Sequence, residues 1–280
     1  MTFRCRNRVR RTFTVLLTGA TIAALTPSVA GNAVAADQTP RITASDYAPQ
    51  LAAESTSRAG NVMYSGPKTI NGRKAIYLTF DDGPVTRGTP EVLAALQANR
   101  VTATFFVVGG LANSRAGTNI VKRLHGAGMP IAMHSWSHPV MSGWSTAAVQ
   151  RDLTVTTKAI RRATGEIPTC FRPPYGAYGR GVTNAAAARN VSVVMWDVDP
   201  RDWTDPGPSA LASRVISKLH PGAIILMHDG AGHGRQAAAA LPRIVRAARA
   251  KGYVFGTLCP MRRPTRSTSA IATSAAGGGS

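Results

Sequence analysis

Two histidines, His134 and His138, are the first residues of this chain whose type and spacing could support chemistry. They lie in the segment HSWSHP, and the proline after His138 disfavours a helical backbone at that histidine. A strand end that leads into a loop is therefore the expected placement. Neutral imidazoles are common metal ligands, and a third ligand from elsewhere would complete a site with positions open to water and substrate. Taken alone, however, this spacing is also typical of structural histidines.

A pair of adjacent carboxylates offers a candidate third ligand. Asp81 and Asp82 follow the apolar run YLTF and precede Gly83 and Pro84. Two neighbouring carboxylates at the end of a buried strand repel each other and lose solvation, and a metal ion bound to one of them would offset both effects. The other carboxylate would then be free to act as a base. The alternative is a plain turn, because Asp-Gly and proline are turn formers.

Three later segments contain further candidate residues. The stiff loop Phe171–Gly176 has two consecutive prolines that fix the backbone between Arg172 and Tyr175. The segment Asp199–Trp203 adds two acids and a large aromatic ring, and His228 directly follows the apolar run IILM. Their structural alternatives are a rigid turn, a polar loop and a histidine at the edge of the core.

The elements that must position these residues alternate between strand and helix patterns. Short apolar or β-branched runs predict seven strands, at Ala75–Phe80, Thr102–Val108, Pro130–His134, Thr169–Arg172, Ser192–Asp197, Gly222–Met227 and Gly252–Gly256. Helical patterns separate most of them. We expect Pro90 in the first turn of one helix, and Ser145 and Ser209 as caps of two more. Such an alternation predicts a parallel sheet, either an open doubly wound one or a closed barrel.

The placement of the ionisable residues favours the barrel. Asp81, His134, Arg172 and His228 each stand at the carboxyl end of a strand candidate. In a barrel all of these ends meet at one face, which is where barrel enzymes have their active sites. An open sheet would bring together only the residues near its switch point. We therefore expect an α/β chain folded as a barrel.

Taken in order, the five segments resemble the motifs of the polysaccharide deacetylase family, which is also called the NodB-like domain or carbohydrate esterase family four. The counterparts are TFDDG at Thr79–Gly83, HSxxH at His134–His138, RPPYG at Arg172–Gly176, DxxDW at Asp199–Trp203 and LxH at Leu226–His228. The first two motifs are the most specific. The similarity covers about residues 73–258. It implies a single catalytic domain folded as an irregular (β/α) barrel with about seven parallel strands.

The resemblance also implies a role for each residue around the expected metal. Asp82, His134 and His138 would be ligands of one divalent metal ion, usually zinc, with cobalt or another divalent ion as the alternative. Asp81 would be the general base, and Arg172 would be its partner.

The remaining motif residues are implied to act on the substrate. The backbone amide of Tyr175 would donate to the oxyanion, and Trp203 and Leu226 would line the acetyl pocket. His228 would be the general acid, and Asp202 would belong to the polar network that supports it.

This set of residues predicts the hydrolysis of N-acetyl groups in an N-acetylglucosamine-containing polysaccharide, such as peptidoglycan or a chitin-like chain, with release of acetate. An esterase acting on acetylated xylan is the alternative within the same family. A non-haem iron oxygenase also uses two histidines and a carboxylate, but it would leave Asp81 and His228 unexplained. A non-catalytic wall-binding module would be expected to have lost Asp81 or a metal ligand, and all of them are present.

The two ends of the chain differ in composition from this region. Residues 1–36 predict a signal peptide, because five arginines precede an apolar stretch and a small-residue cleavage site. The stretch is too short to predict a membrane span, and a twin-arginine signal is the alternative to an ordinary one. Residues 37–72 predict an N-terminal arm or linker, residues 73–258 the deacetylase domain, and residues 259–280 a flexible C-terminal tail.

Charge and cysteine content indicate the compartment and the partners. The net charge of +20 falls by five, to +15, when the signal peptide is removed, which favours anionic surroundings such as a cell wall. A charge that serves solubility alone is the alternative. Nucleic acid is not expected, because the chain is exported and its basic residues are scattered. The sequence therefore predicts a secreted or wall-associated monomer without stable membrane insertion. Cys170 and Cys259 would form a disulfide or remain free thiols.

Overall fold

The computed structural model describes residues 62–264. Strands β1 to β9 are Val62–Met63, Thr69–Ile70, Arg73–Asp81, Thr104–Val107, Ile131–Met133, Cys170–Phe171, Ser192–Val194, Ile224–His228 and Val254–Gly256. Helices α1 to α7 are Thr89–Ala98, Gly109–Asn113, Arg115–Gly126, Thr146–Thr164, Arg180–Ala188, Pro208–Ser217 and Gly234–Ala250. Two 3-10 turns span Pro174–Gly176 and Asp202–Thr204. None of the helices in this part of the chain is long and apolar enough to cross a membrane.

The sheet is organised around β3, its longest strand. β3 pairs in parallel with β8 along one edge, and with β9 and then β4 along the other. β5, β6 and β7 continue in parallel from β4, and Val198, just after β7, bridges Ile225 of β8. The sheet thereby curls into a half-barrel with helices packed outside it. The predicted irregular (β/α) barrel with about seven parallel strands is confirmed.

Alternation along β3 divides the core into two layers. Every second residue, including Leu78 and Phe80, packs outward in the layer shared with the helices, whereas Tyr77 belongs to a smaller cluster inside the barrel. Thr79 and Asp81 face the same side as Tyr77, because successive residues of a strand point to opposite faces. Asp81, the last residue of β3, is therefore directed into the barrel at its carboxyl end.

All seven predicted strands are present, although most are shorter than their apolar runs. The run Ser192–Asp197, for example, pairs as a strand only over Ser192–Val194, because the chain then bends so that Val198 meets β8. The structure adds β1, which pairs with β7, and β2, which pairs with the start of β3. Strands of two residues are too short to give a periodic signal in the sequence.

Ordered pairing extends past the predicted domain limits of 73 and 258. β1 and β2 lie in the predicted arm, and Arg262 exchanges two backbone hydrogen bonds of 2.7 and 2.9 Å with Ile167. Cys259 is joined to Cys170 by a disulfide, with the two Cα atoms 5.4 Å apart. Residues 62–72 and 259–264 are therefore attached to the barrel. The predicted signal peptide, residues 1–36, lies outside the described residues.

Two of the three expected helix starts are present, and the third differs by its capping residue. Ser145 is the N-cap residue of α4, where its hydroxyl accepts a hydrogen bond of 3.3 Å from the Ala148 N–H. Pro90 lies in the first turn of α1, as expected. Ser209 does not cap α6, which begins at Pro208. A proline favours the first helical position because its φ is already helical, so α6 starts before the serine.

Candidate active site

The carboxyl ends of the strands bring the sequence-predicted residues to one face of the barrel, around a cavity of about 460 Å³ that we call the site cavity. Eight of the ten predicted residues line it, namely Asp81, Asp82, His134, His138, Tyr175, Trp203, Leu226 and His228. The other two, Arg172 and Asp202, are fully buried behind its wall. The barrel thus assembles residues that are up to 147 positions apart in the chain, from Asp81 to His228.

Three possible ligand atoms, from Asp82, His134 and His138, converge at one point of the site cavity. Asp82 Oδ1 lies 3.1 Å from His138 Nε2 and 3.3 Å from His134 Nε2. His134 Nδ1 lies 2.7 Å from the backbone carbonyl oxygen of Arg172 and must donate to it, which leaves Nε2 of the neutral ring as an acceptor. Asp82 Oδ1 is buried and has no hydrogen-bond donor among residues 62–264. A cation placed between these three atoms would satisfy all of them at once.

A carboxylate oxygen and two imidazole nitrogens fit a divalent cation such as zinc. The three ligand atoms of Asp82, His134 and His138 lie within 4.8 Å of one another. Burial raises the pKa of Asp82, but protonated rings at His134 and His138 would outweigh burial and hold that pKa far below its ordinary value, and a divalent cation in place of their protons would act in the same direction. Asp82 is therefore ionised, as a metal ligand must be. These residues form a candidate metal site with the three ligands expected from the sequence.

The loop between the two histidines is held in place by its own polar contacts. The Trp136 N–H donates to both carboxylate oxygens of Asp152, at 3.0 and 3.1 Å, and the His138 N–H donates to Ser135 Oγ at 2.9 Å. Ser135 and His138 both have a φ of 62°, in the left-handed region that side chains disfavour. The fixed contacts of the loop hold this strained backbone and aim His138 at Asp82.

Asp81 is fixed by a buried arginine. Arg172 Nη1 donates to Asp81 Oδ1 at 2.7 Å and to Thr79 Oγ1 at 2.9 Å, and its other nitrogens donate to the carbonyl oxygens of Val194 and Met195. Burial lowers the pKa of Arg172, and the Asp81 charge opposes that effect. The second oxygen, Asp81 Oδ2, lies 3.8 Å from His134 Nε2. Asp81 therefore presents one oxygen to the arginine and the other toward the candidate metal site.

His228 is held by two contacts with one buried carboxylate. Asp202 Oδ1 accepts from His228 Nδ1 at 2.7 Å, and Asp202 Oδ2 accepts from the His228 backbone N–H at 2.7 Å. Burial lowers the pKa of His228, but the hydrogen bond and charge of Asp202, with the charges of Asp81 and Asp82, outweigh burial and raise the pKa to about 9. His228 is therefore protonated at neutral pH. Because its Nδ1 proton is bonded to Asp202, the proton on Nε2 is the one that it can donate.

The remaining predicted residues form the rim and wall of the site cavity. Tyr175 has a φ of 59° in the 3-10 turn that follows Pro173, and its ring lies against the edge of His138 at 4.6 Å between centroids. The first amides of such a turn have no partner within it, so the Tyr175 N–H is available to a ligand. The Trp203 ring is half exposed at the mouth, and Leu226 is buried in the wall.

Sequence reasoning missed two residues that also line the site cavity, Trp196 and His233, and gave no role to a third, Asp199, which begins the fourth motif. His233 Nδ1 lies 2.8 Å from Asp205 Oδ1, and its ring centroid is 6.2 Å from that of His228. This second histidine–aspartate pair lies outside the five motifs. A histidine in the loop GAGHG, directly after the strand that ends in His228, was the signal available in the sequence.

A buried acid next to His228 was also missed. Asp229 Oδ2 accepts from Thr89 Oγ1 at 2.5 Å, and Oδ1 has no hydrogen-bond partner among the described residues. Burial raises the pKa of Asp229 to about 7. A Cβ on Gly83 would lie only 2.2 Å from Asp229 Oδ2, so the turn after Asp82 can pack on this acid only because it contains glycine.

Comparison with known proteins agrees with this site. The family model for polysaccharide deacetylase matches residues 68–194, which include the first three motifs. A chitooligosaccharide deacetylase from Sinorhizobium fredii is 37% identical over 203 residues, covering 69% of this chain and 94% of that protein.

Solved structures give the same result. The Bc1960 peptidoglycan N-acetylglucosamine deacetylase is 33% identical with a TM-score of 0.66, covering 70% of this chain and 90% of that one. A family 4 acetyl xylan esterase from Clostridium thermocellum, solved with a cobalt ion, is 32% identical with a TM-score of 0.61, covering 66% and 88%. With the motifs, the barrel and these relatives in agreement, the chain belongs to the polysaccharide deacetylase family.

Proposed function

We propose that this protein removes acetyl groups from N-acetylglucosamine units of a polysaccharide by hydrolysis and releases acetate. The observation that supports this most strongly is one cavity in which a carboxylate, Asp81, and a protonated imidazole, His228, lie beside the donor set for a divalent cation. Amide hydrolysis needs a base for the attacking water and an acid for the leaving amine. Two of the similar proteins named above are deacetylases of chitooligosaccharide and of peptidoglycan.

Asp82, His134 and His138 would hold the divalent ion, which we propose to be zinc with cobalt as a working substitute. When bound, such an ion lowers the pKa of a coordinated water and polarises a carbonyl group. The cobalt ion in the related esterase structure supports a divalent ion at this site.

The protein groups would divide the proton transfers between them. Asp81 would accept a proton from the attacking water through Oδ2, since Oδ1 is occupied by Arg172 at 2.7 Å. Arg172 orients this carboxylate through its hydrogen bond. It takes no part in the proton transfer, because a guanidinium stays protonated in proteins. The Tyr175 N–H would donate to the oxyanion, and one donor of this kind contributes about 3–4 kcal/mol to the transition state.

His228 would complete the reaction as the acid. It would donate its Nε2 proton to the departing sugar amine while Nδ1 stays bonded to Asp202. A histidine with a pKa of about 9 is protonated when the substrate binds, as this role requires. The walls formed by Leu226 and Trp203 have the apolar character that an acetyl methyl group needs.

Hydrolysis of acetyl esters on xylan is the second candidate, because the same groups suit an ester and a structural relative has that activity in its name. The two are separated by measuring acetate release from chitin oligomers, peptidoglycan and acetylated xylan side by side, with zinc present. Release from the N-acetylated substrates at a higher kcat/KM than from xylan is the expected result. Release from xylan alone would overturn the N-deacetylase proposal.

We also propose that the protein is secreted and acts at a cell wall. The Cys170–Cys259 disulfide supports an oxidising compartment, since such bonds are rare in a reducing cytosol. Detection of the mature chain, without residues 1–36, in the culture medium or wall fraction would be the expected result. An uncleaved protein confined to the cytosol would contradict it.

A further inference from the structure

Three adjoining cavities form a groove that leaves the site cavity on one side. The site cavity shares Asp82 and His138 with a second cavity of about 500 Å³, which is also lined by Leu111. The second cavity shares Trp136 and Ser137 with a third cavity of about 540 Å³. The groove therefore runs from the candidate metal site, across the loop between the two metal-binding histidines, to helix α4.

Trp136 is a fixed element of this groove. Its backbone N–H donates to the Asp152 carboxylate of α4, and its carbonyl oxygen accepts from the Gly110 N–H at 2.8 Å. A Cβ on Gly109 would lie 2.9 Å from its ring, so α2 packs closely beneath the indole. A flat apolar ring held in this way, between the second and third cavities, suits contact with a sugar ring.

The far end of the groove is basic. The third cavity is lined by Arg151 and Val155 of α4, both exposed. Lys158 and Arg162 continue along the same exposed face, because residues three and four positions apart lie on one side of a helix. Asp152 of α4 also lines the third cavity, but it is only 8% exposed and both of its carboxylate oxygens accept from the Trp136 N–H, whereas Arg151 beside it is exposed.

The two ends of the groove therefore differ in charge. The site cavity is lined by three acids, Asp81, Asp82 and Asp199, against one protonated histidine, His228. Arg151 has no ion pair or hydrogen bond among residues 62–264. Apart from the metal position, an anionic group would be repelled at the first end and attracted at the second. A glycan that bears only neutral acetamide groups gains no binding energy from Arg151. A glycan with carboxylates on the sugars next to the reacting one does.

We propose that the α4 end of the groove is an anionic subsite, in which Arg151 binds a carboxylate of the same glycan chain whose acetylated sugar occupies the site cavity. The inference rests on the proposed deacetylase function and adds the substrate class, an N-acetylated polysaccharide that bears carboxylates. The ring of Trp136 supports the intervening sugar, and Lys158 extends the favourable field along α4.

Two soluble polymers with the same backbone test this subsite. Glycol chitin is neutral, and carboxymethyl chitin is anionic, so the ratio of their kcat/KM values reports the recognition of carboxylates apart from the chemistry. The variant Arg151→Glu reverses the charge in the third cavity. The matched control is Arg246→Glu on α7, the helix that packs against α1 and α6. Arg246 suits this purpose because it is also exposed and has no ion pair or hydrogen bond in the described part of the chain.

The zinc-loaded wild type should favour carboxymethyl chitin at low salt, mainly through a lower KM. Neutralising an exposed charge contact changes affinity by up to about fivefold, and reversing it by about tenfold. The ratio should therefore fall about tenfold in Arg151→Glu and stay at the wild-type value in Arg246→Glu. At about 1 M salt, where the Debye length is about 3 Å, both attraction and repulsion are screened, so the ratios of the wild type and Arg151→Glu should converge.

A ratio that is the same in Arg151→Glu and the control, with both polymers deacetylated, would overturn the anionic subsite and leave the proposed function intact. A wild type that releases acetate from neither polymer would overturn the proposed function itself. If Arg151→Glu is poorly folded, Arg151→Gln replaces it. That variant should lower the ratio about threefold, as expected for the loss of one exposed charge, and an unchanged ratio would again overturn the subsite.

Discussion

Replacement of Asp202 by asparagine tests whether His228 acts as a protonated acid. Burial lowers the pKa of His228, but Asp202, together with the charges of Asp81 and Asp82, outweighs burial and raises it to about 9. Asparagine removes the closest charge, while its side-chain oxygen can still accept from His228 Nδ1. Burial is then opposed only by the more distant charges. The pKa of His228 should fall to its ordinary value of 6.5 or below.

The size of the effect follows from the protonated fraction of His228. The acid is present below its pKa and is lost as pH rises through it. At pH 7.5 a histidine with a pKa of about 9 is almost fully protonated, whereas one with a pKa of 6.5 is about one-tenth protonated. Acetate release should therefore fall about tenfold in kcat/KM at pH 7.5 and much less at pH 5.5. The alkaline limb of the pH profile should move from near pH 9 to near pH 6.5.

The neighbouring pair supplies the control. Asp205→Asn makes the same change at His233, whose Nδ1 lies 2.8 Å from Asp205 Oδ1, and should leave the alkaline limb near pH 9. Metal content measured on each variant separates a change in the acid from a loss of the ion. An alkaline limb that stays near pH 9 in Asp202→Asn would refute the reasoning.

Three further predictions concern the base, the disulfide and a buried acid. Asp81→Asn should keep the metal and lose about a thousandfold in kcat, since an amide cannot accept a proton from water. Metal analysis and acetate release measured on one sample check this prediction. Retention of most of the activity would contradict it. Replacing both Cys170 and Cys259 by serine should lower the free energy of unfolding, measured in urea titrations, by about 4 kcal/mol, because the disulfide links positions 89 apart. A loss below about 1 kcal/mol would contradict this prediction. Burial raises the pKa of Asp229 from 3.8 to about 7, so its ionisation opposes folding increasingly between those pH values. In chelator-treated protein, Asp229→Asn should therefore raise the free energy of unfolding by up to about 4 kcal/mol at pH 8 and hardly at pH 4; equal effects at both pH values would contradict this.

The barrel could be predicted because its strands are local signals. β3 and β8 are long apolar runs, and each ends in an ionisable residue, Asp81 or His228. A strand of a parallel barrel presents its carboxyl end to one face, so the sequence alone located these side chains. Their meeting in one cavity followed from fold class. The catalytic roles remain predictions, because proximity does not establish chemistry.

The rest of the site depends on contacts that no local pattern reveals. His233 reaches Asp205 across 28 positions, and Trp136 meets Asp152 across 16, through loops whose paths are set by packing. The groove along α4 likewise arises from the packing of α2 and α4 around one indole ring. β1 escaped detection because it has only two residues, and its pairing with β7 exists only in the folded barrel.

The most direct test of the central claim is metal removal from the purified protein, followed by measurement of acetate release from a chitin oligosaccharide. Asp82, His134 and His138 present three possible ligand atoms within 4.8 Å of one another, which fits a divalent ion. Activity should disappear in a chelator-treated, dialysed sample and return with one equivalent of zinc or cobalt. Full activity in a preparation shown by elemental analysis to contain no metal would contradict the account.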